Sequence, residues 1–207
     1  MAKSERALKY KDSKSSWKRL WYFVWYDDSI WSWLLNVVIA FILIKFIVYP
    51  GLGFMLSTSH PIVAVVSSSM EHHPSDFAAW FSNDPWYLQH NISQEQFLDF
   101  KMRSGFSRGD IIVLKGRDPK DIKAGDIIVF QANRPYPIIH RVVNVFKEND
   151  IYYFQTKGDN NKAQINDNTI NELRISQNQV IGTALFKIPY LGYVKILFTD
   201  LIQSFTN

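Results

Sequence analysis

Val63-Ala64-Val65-Val66-Ser67-Ser68-Ser69-Met70-Glu71 joins an apolar, β-branched run to three consecutive hydroxyls. The run reads as a buried strand and the serines as its polar end, so the reading of the fold starts from a sheet with an element end facing a cleft. Such an end suits a nucleophile, because the strand fixes the backbone that carries it. Serines in this position also commonly close a turn by bonding to nearby backbone, so the surrounding sequence has to decide between the two.

Downstream the sequence keeps returning to strands. Gly109-Asp110-Ile111-Ile112-Val113 and Gly125-Asp126-Ile127-Ile128-Val129 lie sixteen residues apart, each a Gly-Asp turn launching a β-branched run. Two copies make a shared turn-and-strand device rather than a repeat architecture. Pro137 to Val143, Ile151 to Thr156 and Val180 to Leu185 add three more strands, with a tight turn at Lys157 to Asn161. The expected class is therefore mainly β. Between the serines and the first Gly-Asp unit, residues 74–107 break the pattern with Phe77, Trp80, Phe81, Trp86 and Tyr87. We read this stretch as an insertion with a short helix over Gln94 to Phe100, because Ser93 and Gln96 have the form of a capping box. Asn91-Ile92-Ser93 within it fits a glycosylation acceptor.

Upstream, Ile30 to Tyr49 is an apolar run interrupted by Ser32, Asn36 and Lys45, long enough at ~1.5 Å per residue to cross a hydrocarbon layer of ~30 Å. Pro50-Gly51 is expected to end it. A cleaved signal peptide would have a shorter apolar core and a small-residue cleavage site, so this span is expected to anchor the chain. Before it, Trp17, Trp21 and Trp25 recur every four residues, the pattern of an amphipathic helix at headgroup level. The expected organisation is a basic arm with an aromatic interfacial segment over 1–29, a transmembrane helix over 30–49, and a domain over 50–207. Ile188 to Ile202 is apolar but too short to span comfortably and carries Lys195 and Asp200.

The net charge of +4 could suggest nucleic acid, but its location argues otherwise. The first 19 residues hold seven basic and two acidic side chains, leaving 16 of the 23 basic and 17 of the 19 acidic residues for everything else. The body is close to neutral and no nucleic-acid partner is expected. By the positive-inside bias, the basic arm puts the N-terminus in the cytoplasm and the domain outside a cell membrane that the chain crosses once. Cysteine is absent, which removes disulfides, thiol catalysis and thiolate metal sites.

Among five histidines, His140 alone sits inside a strongly β-patterned run, Ile139-His140-Arg141-Val142-Val143, where its ring would be held rigidly. Such a residue is commonly a satisfied, half-buried histidine, so its strand position does not identify a base. Glu71-His72-His73 is too compact for converging metal ligands, and no metal is expected. Asp159, in Gly158-Asp159-Asn160-Asn161, has the form of a turn aspartate bonded to its own backbone.

Taken in order, Ser67-Ser68-Ser69-Met70-Glu71, Gly125 to Val129, Ile139 to Val143 and Thr156-Lys157-Gly158-Asp159-Asn160-Asn161 resemble type I signal peptidases, and within them the archaeal and endoplasmic-reticulum branch. The likeness covers the span and nearly all of the domain except 74–107. It implies a β-domain of coiled antiparallel sheets behind one transmembrane helix, and a serine endopeptidase, without cofactor, that cleaves N-terminal signal peptides from exported preproteins. It implies Ser69 as nucleophile, Ser67 as oxyanion support, and His140 as general base where bacterial relatives carry lysine. A histidine titrating near neutrality can take a serine proton without being buried, but it needs an orienting partner.

For that partner the chain departs from the family. The family's second aspartate, six residues after the first, is Ile165 here, and Asp167 follows two residues later. Either Asp159 or Asp167 is expected to orient His140. Substrate is expected to bind as an added strand beside Ile62, Val63, Ala64, Val65 and Val66. Implied partners are signal peptides, membrane lipid and the secretion translocon. The altered aspartate spacing keeps an alternative open: a catalytically inactive, membrane-tethered β-domain that binds exported chains or assists an assembly. A self-cleaving repressor of the same broad fold is disfavoured by the span, the neutral body and the absent lysine base.

Overall fold

The computed structural model describes residues 15–73 and 76–193. Most of the expected basic arm, the opening of the insertion at 74–75, and residues 194–202 of the apolar C-terminal stretch lie outside the described residues. The chain falls into two compact units, Met1–Leu52 and Gly53–Asn207.

In the first unit the tryptophan-rich stretch is not one helix. α1 (Ser16–Tyr26) stops at Asp27, and α2 (Ile30–Met55) starts behind Ser29, whose hydroxyl accepts from the Ser32 amide. Asp27 Oδ1 accepts from the Ser29 amide at 2.7 Å and fixes the break. Trp17, Trp21 and Trp25 are exposed along α1. The polar side chains that interrupt the apolar run are used locally. Asn36 Nδ2 donates to the Val24 carbonyl at 2.9 Å and Ser32 Oγ to the Phe23 carbonyl at 2.5 Å, so α2 satisfies carbonyls near the end of α1.

α2 is long and apolar enough to cross a membrane, and it does not end at Pro50-Gly51 as expected. The reason is a π turn at Ile44–Val48, closed by the Tyr49 amide on the Ile44 carbonyl. A π turn widens the helix where Pro50 would otherwise clash with the carbonyl one turn back, so the proline passes and the helix runs on to Met55.

The second unit is a seven-stranded antiparallel sheet, as the strand pattern and the resemblance led us to expect. Its strands are β1 (Ile62–Ala64), β2 (Ile111–Lys115), β3 (Ile127–Phe130), β4 (Ile138–Glu148), β5 (Ile151–Lys157), β6 (Ile175–Ser176) and β7 (Val180–Ile188), in the order β1-β2-β7-β3-β4-β5-β6. Register shifts at Val113/Leu114, Val129/Phe130 and Val142/Asn144 bend it. Both Gly-Asp units build the same turn. Ser107 and Asp110 in one, and Lys123 and Asp126 in the other, exchange a backbone bond and an amide-to-carboxylate bond at 3.0 Å. The glycines take positive φ of 91° and 90°, a conformation that L side chains rarely adopt.

β3 explains why its sequence, Ile-Ile-Val-Phe, does not alternate with polar residues. Ile127 and Val129 enter one core with Val65, Met70, Phe106, Ile112, Leu114 and Ala184. Ile128 and Phe130 enter a second, with Ile122, Val142, Phe154, Ile170 and Ile175. A strand covered on both faces reads as a continuous apolar run.

The insertion contributes α3 (Phe77–Asn83), α4 (Trp86–Gln89) and α5 (Gln94–Leu98), and only the third was predicted. The capping box of Ser93 and Gln96 is formed, and Asn91 is exposed. These helices build a third core from Trp80, Phe81, Trp86, Tyr87, Ile92 and Phe97.

Replacing Phe154, which is fully buried in the second core, by alanine is expected to cost about 3 to 5 kcal/mol. Equilibrium unfolding in denaturant measures it, and a loss below ~1 kcal/mol would mean that the second core is not the packed unit described.

Candidate active site

Ser69 lies just beyond β1, on a turn held from three sides. The Asn160 amide donates to the Ser69 carbonyl at 2.8 Å, Asn160 Nδ2 to the Ser68 carbonyl at 3.1 Å, and the Phe106 amide to the Met70 carbonyl at 3.0 Å. The buried Met70 side chain pins the turn to the first core. The backbone of the serine turn is therefore strapped to the Gly158–Asn161 loop.

His140 stands on β4 opposite Ile128 of β3, its ring 3% exposed. Its Nε2 is 3.0 Å from Ser69 Oγ, across 71 residues of sequence. Its Nδ1 is 2.5 Å from Glu172 Oε1. Glu172 is fully buried and accepts two further bonds, from Thr156 Oγ at 2.8 Å and from the Ile165 amide at 2.6 Å. With Glu172 acting only as an acceptor, the His140 proton belongs on Nδ1, which leaves Nε2 to accept from the serine hydroxyl. Ser67 Oγ is 3.2 Å from Ser69 Oγ, and Ser68 is exposed.

Neither predicted aspartate is the partner of His140. Asp167 sits in an exposed turn, where the Thr169 hydroxyl and the amides of Thr169 and Ile170 bond its carboxylate and lower its pKa. Asp159 is buried but faces away from the ring. It accepts from Arg141 Nε at 2.9 Å and Nη2 at 2.7 Å, from His72 Nε2 at 2.9 Å and from the Tyr87 hydroxyl at 2.8 Å. Burial alone would raise its pKa, but the Arg141 guanidinium and the His72 bond hold it well below the usual carboxylate range. Burial, followed by the Asp159 charge, pushes the Tyr87 hydroxyl up.

The position where the family has its second aspartate, Ile165, contributes its backbone amide to the Glu172 carboxylate. Sequence reading missed Glu172 because it lies in an unpatterned polar loop, where a lone acid reads as solvated. The available signal was Ile170, a buried isoleucine two residues earlier that marks the loop as packed.

Of the Glu71-His72-His73 triplet, His72 turns inward to stack on Trp80 with ring centroids 3.6 Å apart, and His73 pairs outward with Glu71. Arg141 also donates to the carbonyls of Lys101, Met102 and Gly125, and its guanidinium lies 4.7 Å from the Phe97 ring centroid. Lys157, likewise buried, reaches Asp84 at 2.8 Å. Through these contacts the insertion grips the loop that straps the serine.

A cleft of about 300 Å³ opens beside Ser69 and His140, bounded by Ala64, Val66 and Ser67 on one side and by Pro137, Ile138 and Ile139 on the other. β1 forms one edge of the sheet. Of the five residues predicted to receive substrate, Ile62 to Ala64 form that edge, Val65 turns into the first core, and Val66 is exposed. Gly158 closes the site from behind. A methyl added there would come within 2.8 Å of His140 Nε2, 2.9 Å of the Ser69 carbonyl and 2.7 Å of Asn161 Nδ2.

Compared with known proteins, the chain is 30% identical over 165 residues to "Signal peptidase complex catalytic subunit SEC11" of Scheffersomyces stipitis, covering 75% of each chain. It is 30% identical over 173 residues to "Signal peptidase complex catalytic subunit sec11" of Schizosaccharomyces pombe, covering 73% of this chain and 74% of that one. With "Signal peptidase complex catalytic subunit SEC11C" of Homo sapiens it shares 36% over 108 residues, 50% of this chain and 55% of the human one. No protein-family model matches. These relatives are eukaryotic, so the archaeal side of the resemblance has no counterpart among them.

Two predictions follow from this geometry. Asp159→Asn leaves Arg141 buried without its counter-charge and is expected to cost about 3 to 5 kcal/mol at neutral pH. Because the folded-state pKa lies below the unfolded value of ~3.9, the advantage of wild type is fully present above that value. It shrinks as pH falls through the lower folded-state pKa, and parallel melts of the two proteins from pH 7 to 2 test this; a gap that widens in acid would contradict it. Gly158→Ala is expected to keep the fold but separate the Ser69 and His140 side chains, which loss of reaction with a serine-directed phosphonate would report.

Proposed function

Because the chain belongs to the family of signal peptidase complex catalytic subunits, we propose that it is a membrane-anchored serine endopeptidase that removes N-terminal signal peptides from preproteins. The observation that carries this reading is the hydrogen-bonded line Ser69, His140, Glu172, with the serine at the cleft and the carboxylate buried behind.

In the proposed mechanism His140 Nε2 takes the hydroxyl proton as Ser69 Oγ attacks the scissile carbonyl. Glu172 holds the ring in the required tautomer and stabilises the imidazolium, the role of the third member in triads of this kind. The Ser69 amide and the Ser67 hydroxyl face the developing oxyanion. His140 then gives the proton to the leaving amine, and water, activated by the same ring, releases the acyl group. The substrate lies in the cleft as an extended segment, pairing with β1 and setting small side chains against Val66, Ile138 and Ile139.

The span supports the rest. Tethering enzyme and signal helix to one bilayer raises the local concentration of the cleavage site, and the positive-inside bias puts the catalytic unit on the far side from the basic arm. Membrane lipid and, by the relatives' names, further subunits are the partners this reading implies. The altered aspartate spacing favoured a catalytically silent domain, but a buried carboxylate on Nδ1 of His140 takes away its motive.

The test is co-expression with a preprotein, followed by separation of precursor and mature forms. Ser69→Ala and His140→Ala are expected to leave the precursor uncut, Glu172→Gln to slow processing ~100-fold or more, and Ser67→Ala to slow it by about 10² to 10³. Asp167→Asn is expected to change little. Wild-type processing by the Ser69 and His140 variants would refute the reading, and normal processing by Glu172→Gln would remove the glutamate from it.

A further inference from the structure

A second cleft, of about 480 Å³, lies on the other side of the strap loop from the substrate cleft. Its walls include Asn83, Asp84, Trp86 and Gln89 of the insertion and Asn160 and Asn161 of the loop. Asn161 lines both clefts, and its amide nitrogen lies 2.7 Å from the point beside Gly158 that is 2.8 Å from His140 Nε2. The two clefts therefore meet at the catalytic pair.

They differ in chemistry. The first is walled mainly by valine, isoleucine and proline, the second by side-chain amides over an indole floor. Asp84 does not give the second cleft a free negative charge, since its two oxygens are held by Lys157 Nζ at 2.8 Å and the Trp86 amide at 3.1 Å. Asn83 and Gln89 are exposed, with donors and acceptors available to an extended backbone. A chain crossing Ser69 from the apolar cleft into the amide-lined one would change from small apolar residues to polar ones at the scissile bond. That is the polarity change between the end of a signal peptide and the start of a secreted chain.

We infer that the cleft between the insertion and the strap loop is the binding site for the residues that follow the scissile bond, and that the insertion thereby sets a preference for the first residues of the mature chain. The proposal rests on the peptidase reading. Its occupant is the polar, extended N-terminal segment of the mature protein, held by backbone bonds to Asn83, Gln89 and Asn161 and by packing on Trp86.

The test uses the full chain, purified in detergent with any co-purifying subunits, and two substrates. One is a peptide that spans the cleavage site and carries four polar mature residues. The other ends at the cleavage site in a chromogenic anilide, which cannot reach the second cleft. Asn83→Trp and Gln89→Trp fill the cleft from exposed positions outside the catalytic machinery. Both are expected to cut the anilide at the wild-type rate, which also reports an intact fold, and the spanning peptide with kcat/KM about tenfold lower, as losing one or two hydrogen bonds would give. Equal wild-type-like rates on both substrates would overturn the inference and leave the peptidase reading intact. If wild type and Ser69→Ala are equally inert on both substrates, the peptidase reading fails and takes this one with it.

Discussion

The interaction on which the rest of the catalytic unit depends is the buried pair of Arg141 and Asp159. Arg141 follows His140 on β4, and Asp159 follows Gly158 in the loop whose next residue straps the serine turn. Fixing the guanidinium against the carboxylate therefore sets the height of the base relative to the nucleophile. A pair with no solvent access gains this only because its lone pairs and protons are satisfied: four side-chain donors surround Asp159, and three carbonyls take the remaining Arg141 protons. The aspartate that the sequence offers as a catalytic carboxylate is instead a positioning one, and this division of labour separates its effect on stability from that of Glu172 on the chemistry.

Glu172 shows how the same arrangement can be reached by a different route. The backbone around position 165 still turns towards the histidine, but isoleucine there can offer only its amide, and the carboxylate comes from a longer side chain seven residues on. The extra methylene lets a glutamate in the packed loop reach Nδ1 while its second oxygen stays bonded to that amide. The loop itself is anchored to the end of β5, since the Thr156 amide donates to the Glu172 carbonyl at 2.9 Å. Carboxylate and histidine are thus carried by adjacent, hydrogen-bonded strands.

How much of this was legible in the sequence depends on periodicity. The Gly-Asp turns, the β-branched runs and the apolar span have a local cause, and they appear where the pattern puts them. So does the capping box at Ser93, which is a contact between near neighbours. Ser69 and His140 could be named because each sits at a position of distinct pattern, one at a strand end and the other within a strand. The continuation of α2 through Pro50 was not legible, because a π turn is a property of the helix ahead of the proline rather than of the proline. Glu172 and the insertion's grip on the strap loop were not legible either, since both are contacts between segments that carry no shared pattern and meet only in the packed fold.

β1 has only three residues, yet it closes one side of a large sheet and leaves its outer row of amides and carbonyls open. Long open edges recruit further strands and drive proteins into fibres. An edge this short can offer a visiting backbone only a bond or two, too few to hold another copy of the protein. The same shortness makes any ladder built there quick to come apart, so a chain that binds along it is exchanged rather than stored.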